Sequence, residues 1–502
     1  MSSLWFDLRA QDTASASTGE FVPGSSYDTV VAGAGITGLA TALMLARAGS
    51  KVLVLEARQV GAAATGNTTA KLSLLQGTAL SALRGVYPPA QVRAYVEANR
   101  AGQAWLLTYL EDRGVPFQYR DAYTFATTAP GAERLRTELQ VSLAAGLDLE
   151  STRETGLPFE VQGALRLPRQ AQFNPLDVLD ALAADVKAAG GSIIEGVRVM
   201  NVRADDPLTV LTRRGEIRAR TVVLATGTPT LNRGLYFAKL RPNRSYAAAL
   251  RLPDGMEPPP GMYLSAEPPT RSIRDHPTPD GGLLLVGGFG HPGGRAPSPQ
   301  AHLEQLLAWA VEHFPGAEPT HTWSAQDYQA TNLMPFFGRL PRGRGKILFG
   351  TGYNKWGMSN GTAAALDIAA DILGSGQPAW ARTIHRRTTG PRGAVSTVQH
   401  NLDTTRQNIR DKAALKKLPP ITEETSPAEG TGVTGLFHGK PAAVSTVDGV
   451  VCRLSAECAH LGGILHWNDA ETSWDCPLHG SRYSAAGKLL EGPATHNLMK
   501  LQ

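Results

Sequence analysis

Tyr27-Asp28-Thr29-Val30-Val31-Ala32-Gly33-Ala34-Gly35-Ile36-Thr37-Gly38 decides the fold of this 502-residue chain. A short apolar strand runs directly into three glycines spaced G-x-G-x-x-G. Residues 39–48 follow as an Ala/Leu-rich helix ending at Gly49. A second strand, 51–55, ends at Glu56, 18 positions past the last glycine. A glycine triplet alone is weak evidence. With its strand before it, its helix after it and the acidic residue beyond, it is a dinucleotide fingerprint. Gly33 allows the tight turn, Gly35 lets a pyrophosphate approach the backbone at the positive end of the helix, and Gly38 lets helix and strand pack closely. Glu56 can accept hydrogen bonds from a ribose. The expectation is an α/β fold with a Rossmann-like nucleotide domain.

Three further stretches favour FAD over NAD. Residues 61–71 (GAAATGNTTAK) are small and polar, suited to backbone lying against a flat ring. Residues 218–227 (RARTVVLATG) read as a strand ending in Ala225-Thr226-Gly227. Residues 346–361 (KILFGTGYNKWGMSNG) read as a strand and a Gly-rich turn before a helix over about 362–373. The positive end of that helix would face a flavin's pyrimidine edge and stabilise a reduced, anionic ring.

Near the C-terminus stand Cys458-Ala459-His460 and Cys476-Pro477-Leu478-His479. Each loop carries one Cys and one His. A zinc finger would instead group its two Cys and then its two His. Two thiolates on one iron and two imidazoles on the other make a Rieske [2Fe–2S] cluster, with a potential raised by the imidazoles. Leu461-Gly462-Gly463 and Gly480 let the loops turn tightly.

On these motifs the chain resembles bacterial FAD-dependent oxidoreductases of the D-amino-acid oxidase/glycine oxidase superfamily fused to a Rieske domain. The resemblance implies an FAD-binding domain and a substrate domain whose antiparallel sheet covers the flavin, followed by an all-β Rieske domain. It divides the chain into an N-terminal segment 1–26, an oxidoreductase 27–380, a basic linker and helix 381–420, and a Rieske domain 421–502. Within the oxidoreductase, FAD-binding parts fall at about 27–80, 160–235 and 330–380, and the substrate domain at about 85–155 and 236–330. Expected flavin contacts are Gly33, Gly35, Ile36, Thr37, Gly38, Glu56, Ala57, Arg58, Thr65, Asn67, Thr68, Thr69, Lys71, Thr226, Gly227, Gly357 and Met358, with Val199 meeting the adenine through its backbone. Catalytic candidates are Trp356, Lys71, Tyr263 and Tyr328; Tyr246, Arg271, Arg274, His291, Trp323 and Asp327 are further polar or aromatic candidates over the ring. Respiratory Rieske proteins carry a loop disulfide where this chain has Gly463 and Leu478, yet Ser481 and Tyr483 match the residues that donate to their cluster sulfurs. The implied potential lies toward the upper half of roughly −150 to +300 mV.

The rest of the chain narrows the function. Net charge is only +5, which points to neither nucleic acid nor a membrane surface. Three Cys, two of them ligands, leave no disulfide framework and suit a cytoplasmic protein. Cys452 reads as a buried core thiol, residues 1–26 as irregular, and no apolar run has membrane-spanning length. Val395, Val398, Leu402 and Ile409 recur at spacings of three, four and seven, predicting an amphipathic helix over about 394–414. The reading is hydride removal from a small substrate, an amine or amino acid, with electrons passed singly through the cluster to an external acceptor, and His460 and His479 as the exit. The alternatives are a reductase fed by an external donor through the cluster, and a redox sensor or electron-transfer protein.

Overall fold

The computed structural model describes residues 1–9, 17, 19–278, 281–387 and 390–501. Parts of the expected irregular N-terminus (10–16, 18), of the loop at 268–279 and of the basic stretch 382–393 lie outside the described residues.

Ser26–Ala32 pairs in parallel with Val52–Leu55 on one side and Gly215–Leu224 on the other. Ile347–Thr351 and Ser192–Ile194 extend this sheet in parallel, and Phe336–Arg339 closes one edge antiparallel. Every residue of Val52–Leu55 is buried, as a strand covered on both faces requires. The helices Ile36–Arg47 and Gly357–Leu373 pack together on it. The second helix starts at Gly357, five residues earlier than the sequence suggested, so Gly357 and Met358 lie in its first turn.

The covering sheet runs Glu318–Ala330, Leu240–Arg251, Leu283–Pro292, Arg271–His276, Gly261–Ser265, Phe117–Ala126, Gly163–Phe173, Lys71–Leu72. It is antiparallel except where Gly261–Ser265 pairs in parallel with Phe117–Ala126. Gly163–Phe173 belongs here rather than to the nucleotide sheet, although it was grouped with the FAD-binding parts. Alternation sorts the side chains. Ala247, Ala249, Leu283, Leu285 and Trp323 join the core shared with the nucleotide sheet, whereas Tyr246, Ala248, Tyr263, Ile273 and Leu284 join a core under helix Pro299–His313.

The C-terminal region is all β. One antiparallel sheet is Gly432–Phe437, Lys440–Val447 and Val450–Ser455. The other is His466–Asn468, Ser473–Asp475, Arg482–Ser484 and Leu489–Glu491. Cys452 is half-buried rather than a core thiol. Residues Leu4–Arg9 form a short helix whose Trp5 is fully buried, with its indole donating to Thr68 O at 2.7 Å.

Helix Pro391–Leu415 joins the two halves. Its expected core face is reversed. Val395, Val398, Leu402 and Ile409 point outward at 51–65% exposure, while Gly393, His400, Thr404, Asp411 and Leu415 are buried. The cause is what lies beneath. Asn401 donates to Ala238 O at 2.9 Å, Arg295 to the Thr404 hydroxyl at 3.4 Å, and His466 lies 3.4 Å from Asp411. The helix seats on a polar surface and turns its apolar stripe to solvent.

Candidate functional site

The glycine loop is a cradle that only glycine permits. A Cβ at Gly33 would run into the Ala225 carbonyl oxygen, and one at Gly38 into the Gly33 carbonyl oxygen; one at Gly35 would lie 3.0 Å from Thr65 Oγ1. Gly33 also has φ +104°, outside the range of ordinary side chains. Glu56 holds the rim, accepting from Ala34 N and Arg58 N, each at 2.9 Å. Ala57 follows Glu56 on the same turn. Ile36 N donates to Thr65 Oγ1 at 3.3 Å, tying the helix start to the 61–71 stretch. The Thr37 hydroxyl donates to Tyr353 OH at 3.1 Å, which draws the loop before Gly357 against the first helix. Val199 is buried at the start of Val199–Arg203. Thr226 donates to Thr228 O at 2.6 Å.

The 61–71 stretch is clamped from the covering sheet. Asn67 O accepts from Trp323 at 2.9 Å, and Thr69 lies against the bare face of Gly287. Lys71 is buried. Its ammonium donates to Tyr263 O and Ser272 Oγ, both at 2.7 Å, which ties the 61–71 stretch to the covering sheet. Burial, and then the charge of Arg274, hold its pKa well below the usual lysine range.

The remaining candidates separate by face. Tyr263 stacks on Tyr123 and donates to Thr155 O at 2.8 Å, on the face away from the nucleotide sheet, so its hydroxyl is engaged there rather than between the two sheets. Tyr246 and His291 pair at 3.0 Å. Arg274 is fully buried over Trp5, and Arg271 stacks on Phe289 at 3.7 Å. Trp356 caps helix Gly357–Leu373. Against Lys355, in the turn before it, Asp327 has a buried carboxylate oxygen with no partner. Burial raises its pKa to about 6, opposed by the charge of Lys355. Lys355 was not foreseen, since a lysine in a turn carries no signal of its own. Tyr328 lies against Gly227 and donates to Gly492 O at 3.0 Å.

The cluster loops meet edge to edge. The Cys458 and Cys476 side chains are buried and within hydrogen-bonding reach; that bond first, then Tyr483, lowers the Cys458 thiol to about 6. The His460 and His479 rings stand 5.1 Å apart. Burial lowers them to about 4 and about 3, which keeps both imidazoles neutral, the form that binds metal. His460 Nε2 bonds Asn232 Oδ1 at 3.1 Å while its buried Nδ1 has no partner. That orphaned nitrogen, on the loop that also carries Cys458, fits an iron ligand. Among the described residues no three Cys, His, Asp or Glu side chains gather on one ion. A Cβ at Gly463 would come within 2.6 Å of the Leu478 side chain, so apolar packing fills the place of a loop disulfide.

Both imidazoles meet Phe237, edge-on, at 5.0 and 4.9 Å. The ligands read from sequence as an exit thus face inward, onto the segment after Thr226-Gly227. Asn232, Phe237 and Gln326 (to Gly480 O at 2.7 Å) carried no sequence signal, because their roles exist only once the two halves dock.

Residues 28–371 match the family model described as FAD dependent oxidoreductase. The chain belongs to this family. Residues 419–502 of this oxidoreductase match the Rieske [2Fe-2S] domain, so the protein binds FAD and a [2Fe–2S] cluster. The oxidoreductase is 29% identical over 94% of its length, and 93% of the relative's, to YhfW of Bacillus subtilis, named as a Rieske 2Fe-2S iron-sulfur protein. In fold it is similar to glycine oxidase from Geobacillus kaustophilus (TM-score 0.60, 22% identity, 71% of this chain and 96% of that one). L-proline dehydrogenase from P. horikoshii is similar too (TM-score 0.58, 18% identity, 72% and 96%). Among the described residues, no helix of the oxidoreductase is long and apolar enough to cross a membrane.

Proposed function

We propose that this cytoplasmic flavoenzyme removes a hydride from a small amine or amino acid and delivers the two electrons singly, through the cluster, to an external acceptor. When bound, FAD supplies a two-electron acceptor and the cluster a one-electron relay. The observation that carries the reading is the inward aim of His460 and His479 onto Phe237. Cys458, His460, Cys476 and His479 would hold the cluster. Gly33, Gly35, Gly38 and Glu56 would hold the dinucleotide, with Thr65 to Thr69, Gly357 and Met358 beside it.

The substrate side rests on Asp327, Lys355 and Trp356. An amine must be unprotonated before its α C–H can leave as hydride. Asp327, with a free buried oxygen and a pKa near 6, can hold that proton. Trp356 orients the substrate, and orientation supplies much of the rate. The balance is one C–H bond and one N–H bond broken, one C=N bond formed, and two electrons and two protons released. Anaerobic mixing with a panel of amines, amino acids and hydroxy acids tests the reading. An amine should bleach the flavin and then raise the cluster's EPR signal. Bleaching by hydroxy acids alone removes the substrate class, and bleaching with no cluster signal removes the route.

A further inference from the structure

The outward stripe on helix Pro391–Leu415 needs an occupant. Val395, Val398, Leu402 and Ile409 are 54, 57, 51 and 65% exposed on a single helix face. Exposed Arg406, Arg410, Lys412, Lys416 and Lys417 lie along the same helix and its end. Of the charges there, Asp411 is buried and Asp403 alone is an exposed acid. Two more exposed apolar side chains belong to segments tied to this helix. Leu235 (57%) lies in Arg233–Lys239, whose Ala238 O accepts from Asn401. Leu461 (49%) follows His460, which bonds Asn232.

The position is as informative as the composition. Arg295 Nε donates to Pro477 O at 2.8 Å, inside the Cys476–His479 loop, while the same guanidinium reaches Thr404 on the helix. One side chain therefore separates the helix from the cluster loop. Phe237 meets both imidazoles edge-on; His479 is buried and His460 half-buried. An electron that enters by the inward-facing histidines can leave by another face of the cluster loops, and this helix is next to one of them.

We propose that the outer face of helix Pro391–Leu415 docks a small acidic one-electron carrier protein that takes electrons from the cluster. This rests on the direction of flow given above. The charge selects the occupant. A second copy would bring an equally basic helix against this one, whereas an acidic surface is attracted and steered. The size agrees, since half-exposed side chains this few offer far less than the roughly 800 Å² per partner of a stable complex and suit a transient redox encounter. The step is one electron from the reduced cluster to the oxidised carrier, repeated once per substrate.

The test uses the holoprotein with its cluster reduced chemically by dithionite, so that docking is measured whether or not the substrate reading holds. Oxidised plastocyanin serves as the acidic acceptor and cytochrome c as a basic acceptor of similar size. The second-order rate with plastocyanin should fall steeply with salt and drop about tenfold or more in Arg406→Glu/Arg410→Glu and in Leu402→Gln/Ile409→Gln. Cytochrome c should react more slowly than plastocyanin and gain from the Glu variants. Unchanged plastocyanin rates in both variants, with the cluster intact by EPR, overturn the proposal. So does a wild-type dimer in sedimentation that the Gln variant abolishes without changing the rate, which assigns the stripe to a second copy.

Discussion

The Tyr483 hydroxyl accepts from Ala459 N at 3.2 Å, which leaves its own proton for Cys458 Sγ at 3.4 Å. Ser481 Oγ likewise accepts from Ala494 N at 3.0 Å, freeing its proton for the same sulfur. Donation to sulfur favours the more negative, reduced cluster. A hydrogen bond worth about 1 kcal/mol corresponds to about 40 mV for one electron, from 59 mV per tenfold. Tyr483→Phe should therefore lower the potential by about 40 mV in a redox titration; an unchanged potential removes the argument. Asp327 supplies a pH prediction. Its folded pKa, about 6, stands above the ordinary carboxylate value, so folding favours its protonated form. That contribution is complete below about pH 4 and is lost as pH rises through 6, on the order of 2 kcal/mol. Asp327→Asn should flatten the fall of Tm between pH 4 and 7, measured against wild type. An identical pH profile would place the carboxylate in solvent.

Between elements, a buried guanidinium stands at the centre of the ion-pair network that docks the cluster sheet. Arg244, on Leu240–Arg251, is fully buried and binds Glu471 at 2.5 Å and the Ser324 hydroxyl, with Asp475 and Glu491 each 3.8 Å away. Arg482 joins the same three carboxylates from the cluster side at 2.8–3.1 Å. Removing one cation leaves buried carboxylates uncompensated, at a cost of about 3–5 kcal/mol. Arg244→Met should raise hydrogen exchange across 466–491 while FAD stays bound; unchanged exchange would show the docking to lie elsewhere. None of this was legible in the sequence, where Arg244 is one arginine in a strand. The strands and glycines of the nucleotide sheet were legible, because backbone chemistry forces their spacing. Helix Pro391–Leu415 shows the opposite limit. Its period was read correctly and its buried face wrongly, since a repeat of Val, Leu and Ile marks a surface that wants a partner without saying whether this chain provides it. Tyr263 meets a related limit, as a strand's alternation fixes two faces but not which one turns toward the nucleotide sheet.

At the scale of the whole molecule, the two halves pack directly on one another. Tyr328 touches Gly227 and bonds Gly492, Gln326 bonds Gly480, and Phe237 closes over both imidazoles. Such packing predicts a cluster domain fixed in place rather than one that travels between donor and acceptor. The central claim is that electrons pass from flavin to cluster within a single chain. Flash photoreduction of the flavin under anaerobic conditions, with cluster absorbance followed in time, tests this without knowledge of the substrate. The account predicts cluster reduction as flavin reoxidises, with a first-order rate unchanged by dilution of the protein and slowed in Arg244→Met. A reduced flavin that persists beside an oxidised cluster, or a rate proportional to protein concentration, would contradict it.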